Sequence, residues 1–174
     1  MRCETRIFKT QPSFSSIMKN QITIKLYKES DSQALANIYY NTIHHINSKD
    51  YSKEQIEAWA PKSCLELEGW QKKWKKLPPI VARCNDIIVG FAEFENNGHI
   101  DCFYVHHECQ GNGVGSALIG EIIKQAKIKN VSRIFSEVSI TAKPFFEKMG
   151  FIVAKEQLVN IRGVELKNFV MEKI

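Results

Sequence analysis

The chain has 174 residues, of which 44% are hydrophobic and 25% charged, with a formal net charge of +5. This length favours a single domain, and the hydrophobic content excludes an intrinsically disordered chain. No apolar run approaches the roughly 18–20 residues that span a bilayer, so no membrane association is expected. The small cationic excess suits an anionic ligand and is too weak to indicate nucleic-acid binding.

The five cysteines form an odd set without a CxxC pair or a Cys/His spacing typical of metal sites. Cys84 and Cys102 lie in strand-like runs, where a free thiol behaves as a small buried hydrophobe. This pattern predicts a reducing, cytoplasmic compartment and no metal site. The polar segment 1–17 lacks the apolar centre of a secretory signal. It is predicted to be a disordered arm, or the product of an upstream start codon, ahead of a single folded domain over residues 18–174.

The first half of the chain predicts one strand followed by three helices. Residues 22–27 alternate between apolar and polar side chains, as in a half-buried strand. Apolar residues over 35–46 recur at the spacing of an amphipathic helix. Ser52 and Gln55 have the spacing of a capping box for a second, short helix. A third helix is predicted over residues 67–77, before a pair of prolines.

Strands dominate the second half of the chain. The runs 80–84 and 87–94 flank Asn85-Asp86, a typical two-residue hairpin turn. The remaining predicted elements are a strand at 100–105, a helix from 114, a strand at 133–138, a helix at 142–149 and strands at 151–159 and 164–171. The order is therefore β-ααα-βββ-α-β-α-ββ, which predicts an α/β domain with a mixed, mostly antiparallel twisted sheet flanked by helices.

The most informative segment is the glycine-rich loop between the strand that ends at Val105 and the next helix. Residues 110–116 read Gln-Gly-Asn-Gly-Val-Gly-Ser. Glycines let backbone N–H groups point outward, and a helix N-terminus adds partial positive charge, so the segment predicts a phosphate cradle. The dinucleotide fingerprint GxGxxG is incomplete, and the Lys-[Ser/Thr] pair of a P-loop is absent. A glycine-rich turn without a ligand is the structural alternative.

Residues 110–115 resemble the [Arg/Gln]-x-x-Gly-x-[Gly/Ala] motif of the GNAT superfamily of N-acetyltransferases. Residues 142–151, Ala-Lys-Pro-Phe-Phe-Glu-Lys-Met-Gly-Phe, resemble that family's Ala-x-x-Phe-Tyr-x-x-x-Gly-Phe segment, and the order of elements over 22–173 also fits. Residues 50–55 and 58–61 further resemble the bacterial YafP-type branch. The resemblance implies an acyl-CoA-dependent N-acetyltransferase with a GNAT-like fold and acetyl-CoA as its co-substrate.

The resemblance also implies where acetyl-CoA lies, in a V-shaped opening between the parallel strands 100–105 and 133–138. Its pantetheine arm would pair with the backbone of the first of these strands, and one N–H group there would face the acetyl carbonyl. The predicted cofactor-binding residues are Phe103, Tyr104, Val105, Gln110, Gly111, Asn112, Gly113, Val114, Gly115, Ser116 and Phe146.

Attack on a thioester needs a neutral amine, so a base must accept the proton of the ammonium group. The family resemblance implies a carboxylate on the strands near the acetyl group. Asp101 is the first candidate, because it is expected to share a strand face with Phe103, where apolar neighbours would raise its pKa. The alternative is a strand carboxylate paired with a lysine or arginine. Glu93 and Glu95 are the next candidates.

The leaving-group side departs from the family pattern. Phe146 stands where the family usually has a tyrosine that protonates the CoA thiolate, and Ser139 replaces the usual asparagine. Ser139, Thr141 or water would then supply the proton, or the thiolate leaves unassisted. Ser139 is therefore the third predicted catalytic residue, after Asp101 and Glu93. The missing tyrosine also keeps a second hypothesis open, a non-catalytic acyl-CoA-binding regulatory or partner-binding module.

The helical region 31–77 is expected to form the wall on the side of the acceptor, a small-molecule or peptide amine that the sequence does not identify. The lysine-rich stretch 72–76 is expected to be a solvated helix surface. Dimers are common among similar proteins, and homodimer formation stays open. The aromatic residues that could shape the acceptor pocket, with core packing as the alternative for most of them, are His44, His45, Tyr51, Trp59, Trp70 and Trp74.

Overall fold

A computed structural model describes residues 22–174, so the arm predicted over 1–17 lies outside the described residues. Within them, the strands and helices follow the predicted order. The strands are β1 (Ile22–Leu26), β2 (Ile80–Cys84), β3 (Ile87–Phe94), β4 (Ile100–Val105), β5 (Ile134–Ser139), β6 (Ile152–Ile161) and β7 (Val164–Lys173). The helices are α1 (Ser32–His45), α2 (Lys53–Trp59), α3 (Leu67–Lys76), α4 (Val114–Ile128) and α5 (Lys143–Lys148). None of these helices has the length and apolar character needed to cross a bilayer.

The strands form two antiparallel sheets that meet at one short parallel contact. The first sheet has the order β1-β2-β3-β4 and the second β5-β7-β6. His99 and Phe135 form the parallel bridge, and the Ser136 hydroxyl donates to the Ile100 carbonyl at 2.8 Å. Within residues 22–174 no other strand pairing joins β4 to β5. The predicted mostly antiparallel architecture is confirmed, with a V-shaped opening where β4 and β5 separate.

Short-range sequence signals account for the local geometry. Asn85 and Asp86 both adopt left-handed backbone angles, with φ of 48° and 64°, as the two-residue hairpin turn requires. The Ser52 hydroxyl accepts a hydrogen bond from the backbone N–H of Gln55, whose side-chain oxygen accepts one from the N–H of Ser52. The predicted hairpin and capping box are therefore both present.

Two hydrophobic layers cover the first sheet. Leu118 and Ile122 of α4 pack against one face, and Leu35 of α1 with Trp74 of α3 packs against the other. All four side chains are fully buried. Trp74 therefore belongs to the core, which was the alternative to a place in the acceptor pocket. With both faces covered, β4 is held firmly at the junction with the second sheet.

A bulge in β4 decides which polar side chains meet. The register between β3 and β4 shifts by one residue, so that Asp101 and Cys102 stand opposite Glu93 alone. Ile100 and Phe103 consequently belong to the same core cluster although they are three residues apart. Asp101 contacts α3 on the other side of the sheet, so the expectation that it shares the strand face of Phe103 is wrong.

Candidate active site

A cavity of about 610 Å³ opens between β4 and β5, within the size range of ligand pockets. The end of α1, the glycine-rich loop, the start of α4 and helix α5 complete its walls. The predicted site residues that line it are Asp101, Phe103, Tyr104, Val105, Gln110, Gly111, Gly113, Val114, Gly115, Ser116, Ser139 and Phe146. Asn112 and Glu93 are not among the lining residues. The Asn112 side chain donates to the Gln110 carbonyl, and Glu93 is buried behind the cavity wall.

The glycine-rich loop faces open space. Gly111 and Gly113 have φ of 75° and 84°, values that favour glycine. A Cβ atom at Gly111 would meet nothing within 4 Å, and one at Gly113 would meet only a methyl of Ile22 at 3.9 Å. Gly113 also precedes α4 without a side-chain cap, which leaves the first N–H groups of the helix to another partner. The loop therefore fits an anionic group such as a pyrophosphate.

The open edge of β4 presents backbone groups to the same cavity. The N–H of His106 donates to the Val89 carbonyl on β3. Because backbone groups alternate along a strand, those of Val105 and Phe103 point to the opposite, open side. The Val105 carbonyl there accepts hydrogen bonds from the Thr42 hydroxyl at 2.9 Å and the Gln110 amide at 2.8 Å. Gln110 therefore shapes the loop, and the N–H groups of Phe103 and Val105 are left facing the cavity.

A cluster of one lysine and two carboxylates lies at the β4 wall. Lys73 Nζ is 2.6 Å from Glu93 Oε2 and 2.6 Å from Asp101 Oδ2. Trp74 Nε1 donates to the other oxygen of Glu93 at 2.7 Å. The side chain of Glu93 is fully buried, whereas that of Asp101 is 38% exposed, and Asp101 is a lining residue of the cavity. The expectation of a solvated surface over residues 72–76 is thus wrong for Lys73, which α3 directs onto the sheet.

The two carboxyl groups of this cluster have opposite pKa shifts. Burial raises the pKa of Glu93, although Lys73 and Trp74 oppose the change. Burial also acts to raise the pKa of Asp101, but the hydrogen bond and charge of Lys73 outweigh it, and the pKa is lowered. The raised pKa expected for Asp101 is therefore wrong, because the bulge and the packing of α3 bring Lys73 to it. Asp101 instead pairs with a lysine, which was the alternative to a desolvated carboxylate.

Glu95, the other candidate base, belongs to a separate charged group. Its carboxylate lies 3.5 Å from Nδ1 of His99, whose Nε2 lies 2.6 Å from Glu137 Oε2. Glu137 lines the cavity on β5, a role that the sequence analysis missed. Of the three carboxylates considered as the base, Asp101 alone is a lining residue.

Ser139 is the last residue of β5 and lines the cavity. Its hydroxyl oxygen accepts hydrogen bonds from the backbone N–H of Ala142 at 3.1 Å and from Asn47 Nδ2 at 3.3 Å. Phe146 is 2% exposed and packs edge-on against Phe103, with ring centroids 5.4 Å apart. This end of the cavity is therefore apolar except for a few hydroxyl and amide groups.

Trp59 is the aromatic residue of the predicted acceptor wall that lines the cavity. Its carbonyl accepts from the Tyr39 hydroxyl at 3.3 Å and lies 3.5 Å from Arg162, which also donates to the Ala58 carbonyl at 2.7 Å. Contacts between α2 and the β6–β7 turn thus hold Trp59 in place. The cavity residues that sequence reasoning missed, because only packing of distant segments reveals them, include Thr42, Ile46, Asn47, Ser136 and Glu137.

Comparisons with known proteins agree with this geometry. The sequence model of the family described as Acetyltransferase (GNAT) domain matches residues 47–173. Over 152 residues the chain is 37% identical to the uncharacterized N-acetyltransferase YafP of Escherichia coli strain K12. The matched region covers 87% of this chain and 95% of YafP.

Solved structures give the same result for the fold. A GCN5-related N-acetyltransferase from Rhodopseudomonas palustris superposes with a TM-score of 0.82 at 30% identity, over 87% of this chain and 94% of that one. The PaiA N-acetyltransferase from Thermoplasma acidophilum, solved in complex with coenzyme A, superposes with a TM-score of 0.69 at 21% identity, over 88% and 98% of the two chains. By the family match and the identity to YafP, the chain belongs to the GNAT family of N-acetyltransferases.

Proposed function

We propose that this enzyme transfers the acetyl group of acetyl-CoA to a primary amine by direct attack in a ternary complex. The observation that carries the proposal is one cavity lined by the open glycine loop, by residues 103–105 of β4 and by Asp101. The complex of the Thermoplasma PaiA protein with coenzyme A supports the ligand class. When bound, acetyl-CoA supplies an acetyl group activated as a thioester.

The residues of the loop and of β4 would hold the co-substrate. Backbone amides over 111–116, with the N-terminus of α4, suit the pyrophosphate. The N–H groups of Phe103 and Val105 at the edge of β4 suit an extended pantetheine arm, which would add to the sheet like a further strand. An N–H group of Phe103 or Val105 would donate to the acetyl carbonyl oxygen and stabilise its negative charge during attack.

Asp101 accepts the proton of the acceptor amine, directly or through a water molecule. Lys73 keeps Asp101 ionised at neutral pH, as the lowered pKa of Asp101 indicates. When Asp101 takes up the proton, Lys73 retains its ion pair with Glu93, so the buried carboxylate keeps its countercharge. Glu93 thus supports the base from behind the cavity wall.

The acceptor is a small-molecule or peptide amine that approaches along the wall formed by α1 and α2, where Trp59 contacts the cavity. A cytoplasmic location stays the prediction from the cysteine pattern.

Release of free thiol from acetyl-CoA in the presence of a panel of amines tests the proposal. We expect enzyme-dependent release with at least one amine. Asp101→Asn should bind acetyl-CoA normally and lower turnover at neutral pH about 10²-fold or more. Asp86→Asn is the matched control, because this carboxylate is 88% exposed in the β2–β3 turn. Binding of acetyl-CoA without thiol release for any amine would contradict acetyl transfer and favour the acyl-CoA-binding module.

A further inference from the structure

We propose that Ser139 donates a hydrogen bond to the sulfur of the departing CoA thiolate, and that Asn47 is the residue that positions it. This inference rests on the proposed acetyl transfer and names the residues that act on the departing CoA thiolate. The two residues are 92 positions apart in the sequence and meet at the cavity wall, which both of them line. Ser139 is 9% exposed and Asn47 is 6% exposed.

The hydrogen bonds of Ser139 determine where its proton points. A serine hydroxyl offers one donor and two acceptor positions. The N–H of Ala142 donates to the hydroxyl oxygen at 3.1 Å and also to the Ser139 carbonyl at 3.2 Å. Nδ2 of Asn47 donates to the hydroxyl oxygen at 3.3 Å, so each acceptor position has a donor. A hydroxyl that accepts from both donors turns its proton away from them, and Ser139 is a lining residue of the cavity. Ser139 is therefore held as a donor toward whatever occupies that space.

The surroundings strengthen such a donor. Phe146 and Phe103 make this part of the wall apolar, and hydrogen bonds to a charged atom are stronger where water is excluded. Two hydrogen bonds accepted by the Ser139 oxygen also polarise its O–H bond. The neighbouring hydroxyl of Thr141 is buried without a hydrogen-bond partner among the described residues. A polar ligand group at this end of the cavity would give that hydroxyl a partner.

The proposed transfer forms one bond to the acetyl carbon and breaks another. The amine nitrogen forms a bond to the acetyl carbon, and the bond from that carbon to sulfur breaks. The electron pair of the broken bond stays on sulfur, where the Ser139 hydroxyl donates to it. Asp101 takes the ammonium proton before attack and passes it to solvent, and the proton that the nitrogen loses after attack follows the same route. The thiolate takes a proton from solvent after release. Ser139 thus compensates for the tyrosine that Phe146 replaces.

Titration of the thiol of enzyme-bound CoA tests the inference independently of activity. The ultraviolet absorbance of the thiolate is followed against pH for the wild type, Ser139→Ala, Ser139→Thr, Asn47→Asp and Asn47→Ala. We expect the midpoint to move upward by about one pH unit in Ser139→Ala, since a hydrogen bond to a charged group is lost. Ser139→Thr should keep the wild-type midpoint. Both Asn47 variants should shift it upward, because a carboxylate at position 47 accepts the Ser139 proton and an alanine leaves it unoriented.

The kinetics should show the same pattern. Ser139→Ala should lower kcat about tenfold or more and change the Kd for acetyl-CoA less than about twofold, because the hydrogen bond forms mainly to the thiolate.

Failure of CoA to bind the wild type would overturn the proposed function itself. Normal CoA binding with wild-type titration in Ser139→Ala would overturn this inference alone. A shift in Thr141→Val but not in Ser139→Ala would also overturn it, by assigning the donor to Thr141.

Discussion

Replacing Lys73 with methionine should move the acidic limb of the pH–rate profile upward. Methionine retains an unbranched apolar stem but removes the ammonium that lies 2.6 Å from both Glu93 and Asp101. The buried Glu93, already raised in pKa, then takes up a proton. Asp101 loses the contact that lowers its pKa, so it is protonated, and inactive as a base, at higher pH than in the wild type.

The size of the effect follows from the contact distances. At 2.6 Å, two unit charges attract by about 6 kcal/mol at an effective dielectric constant of about 20. Solvent reduces this several-fold, because the side chains of Lys73 and Asp101 are each 38% exposed. Glu93 competes for the same ammonium. About 1–2 kcal/mol remains for Asp101, which moves the acidic limb by about one pH unit.

The assay is kcat/KM against pH, measured as thiol release, for the wild type and Lys73→Met. Lys75→Met is the matched control, because Lys75 is exposed on the same helix and should leave the profile unchanged. Thermal unfolding establishes that each variant is folded at the assay temperature. If the acidic limb of Lys73→Met coincides with that of the wild type, the proposed role of Lys73 in lowering the pKa of Asp101 is refuted.

Three further predictions address the loop, the histidines beside it and the support of the acceptor wall. Gly113→Glu should abolish acetyl-CoA binding in calorimetry, because the glutamate would fill the open cradle with a negative charge. Gly120→Ala, also in open space, should retain binding. Full affinity in Gly113→Glu would show that the loop does not bind acetyl-CoA. Burial and the neighbouring His45 lower the pKa of His107, so the unfolded chain binds more protons and stability should fall as pH drops through about 6.5. His107→Gln should weaken that dependence in urea unfolding at several pH values, and an unchanged slope would contradict it. Tyr51→Phe removes a hydroxyl that bonds two backbone groups, which should cost about 2 kcal/mol and lower Tm by roughly 4–8 °C; an unchanged Tm would show that water replaces the hydroxyl.

Sequence patterns predicted those parts of the molecule whose determinants are close together in the chain. The hairpin at Asn85-Asp86 and the capping box of Ser52 and Gln55 depend on residues up to three positions apart, and both are present. The glycine-rich loop is equally local, since backbone conformation and the absence of side chains create its open space. The element order predicted the fold class, and the resemblance to the GNAT family implied the opening between β4 and β5.

The electrostatics of the candidate base could not be predicted in the same way. Lys73 and Asp101 are 28 positions apart, and their contact depends on how α3 packs on the sheet. A one-residue bulge reverses the faces to which side chains point, and hydrophobic alternation in the sequence of β4 does not reveal it. The contact between Asn47 and Ser139 likewise requires the tertiary fold.

The most direct test of the account is the melting temperature with and without acetyl-CoA, with NADH and ATP as controls. Saturation at 100 times Kd adds about 2.7 kcal/mol to the free energy of unfolding, or roughly 5–10 °C for a chain of this size. We predict this stabilisation with acetyl-CoA and a smaller effect, or none, with the two nucleotides. No shift with acetyl-CoA, or a larger one with NADH, would contradict the assignment of the cavity between β4 and β5 to acetyl-CoA.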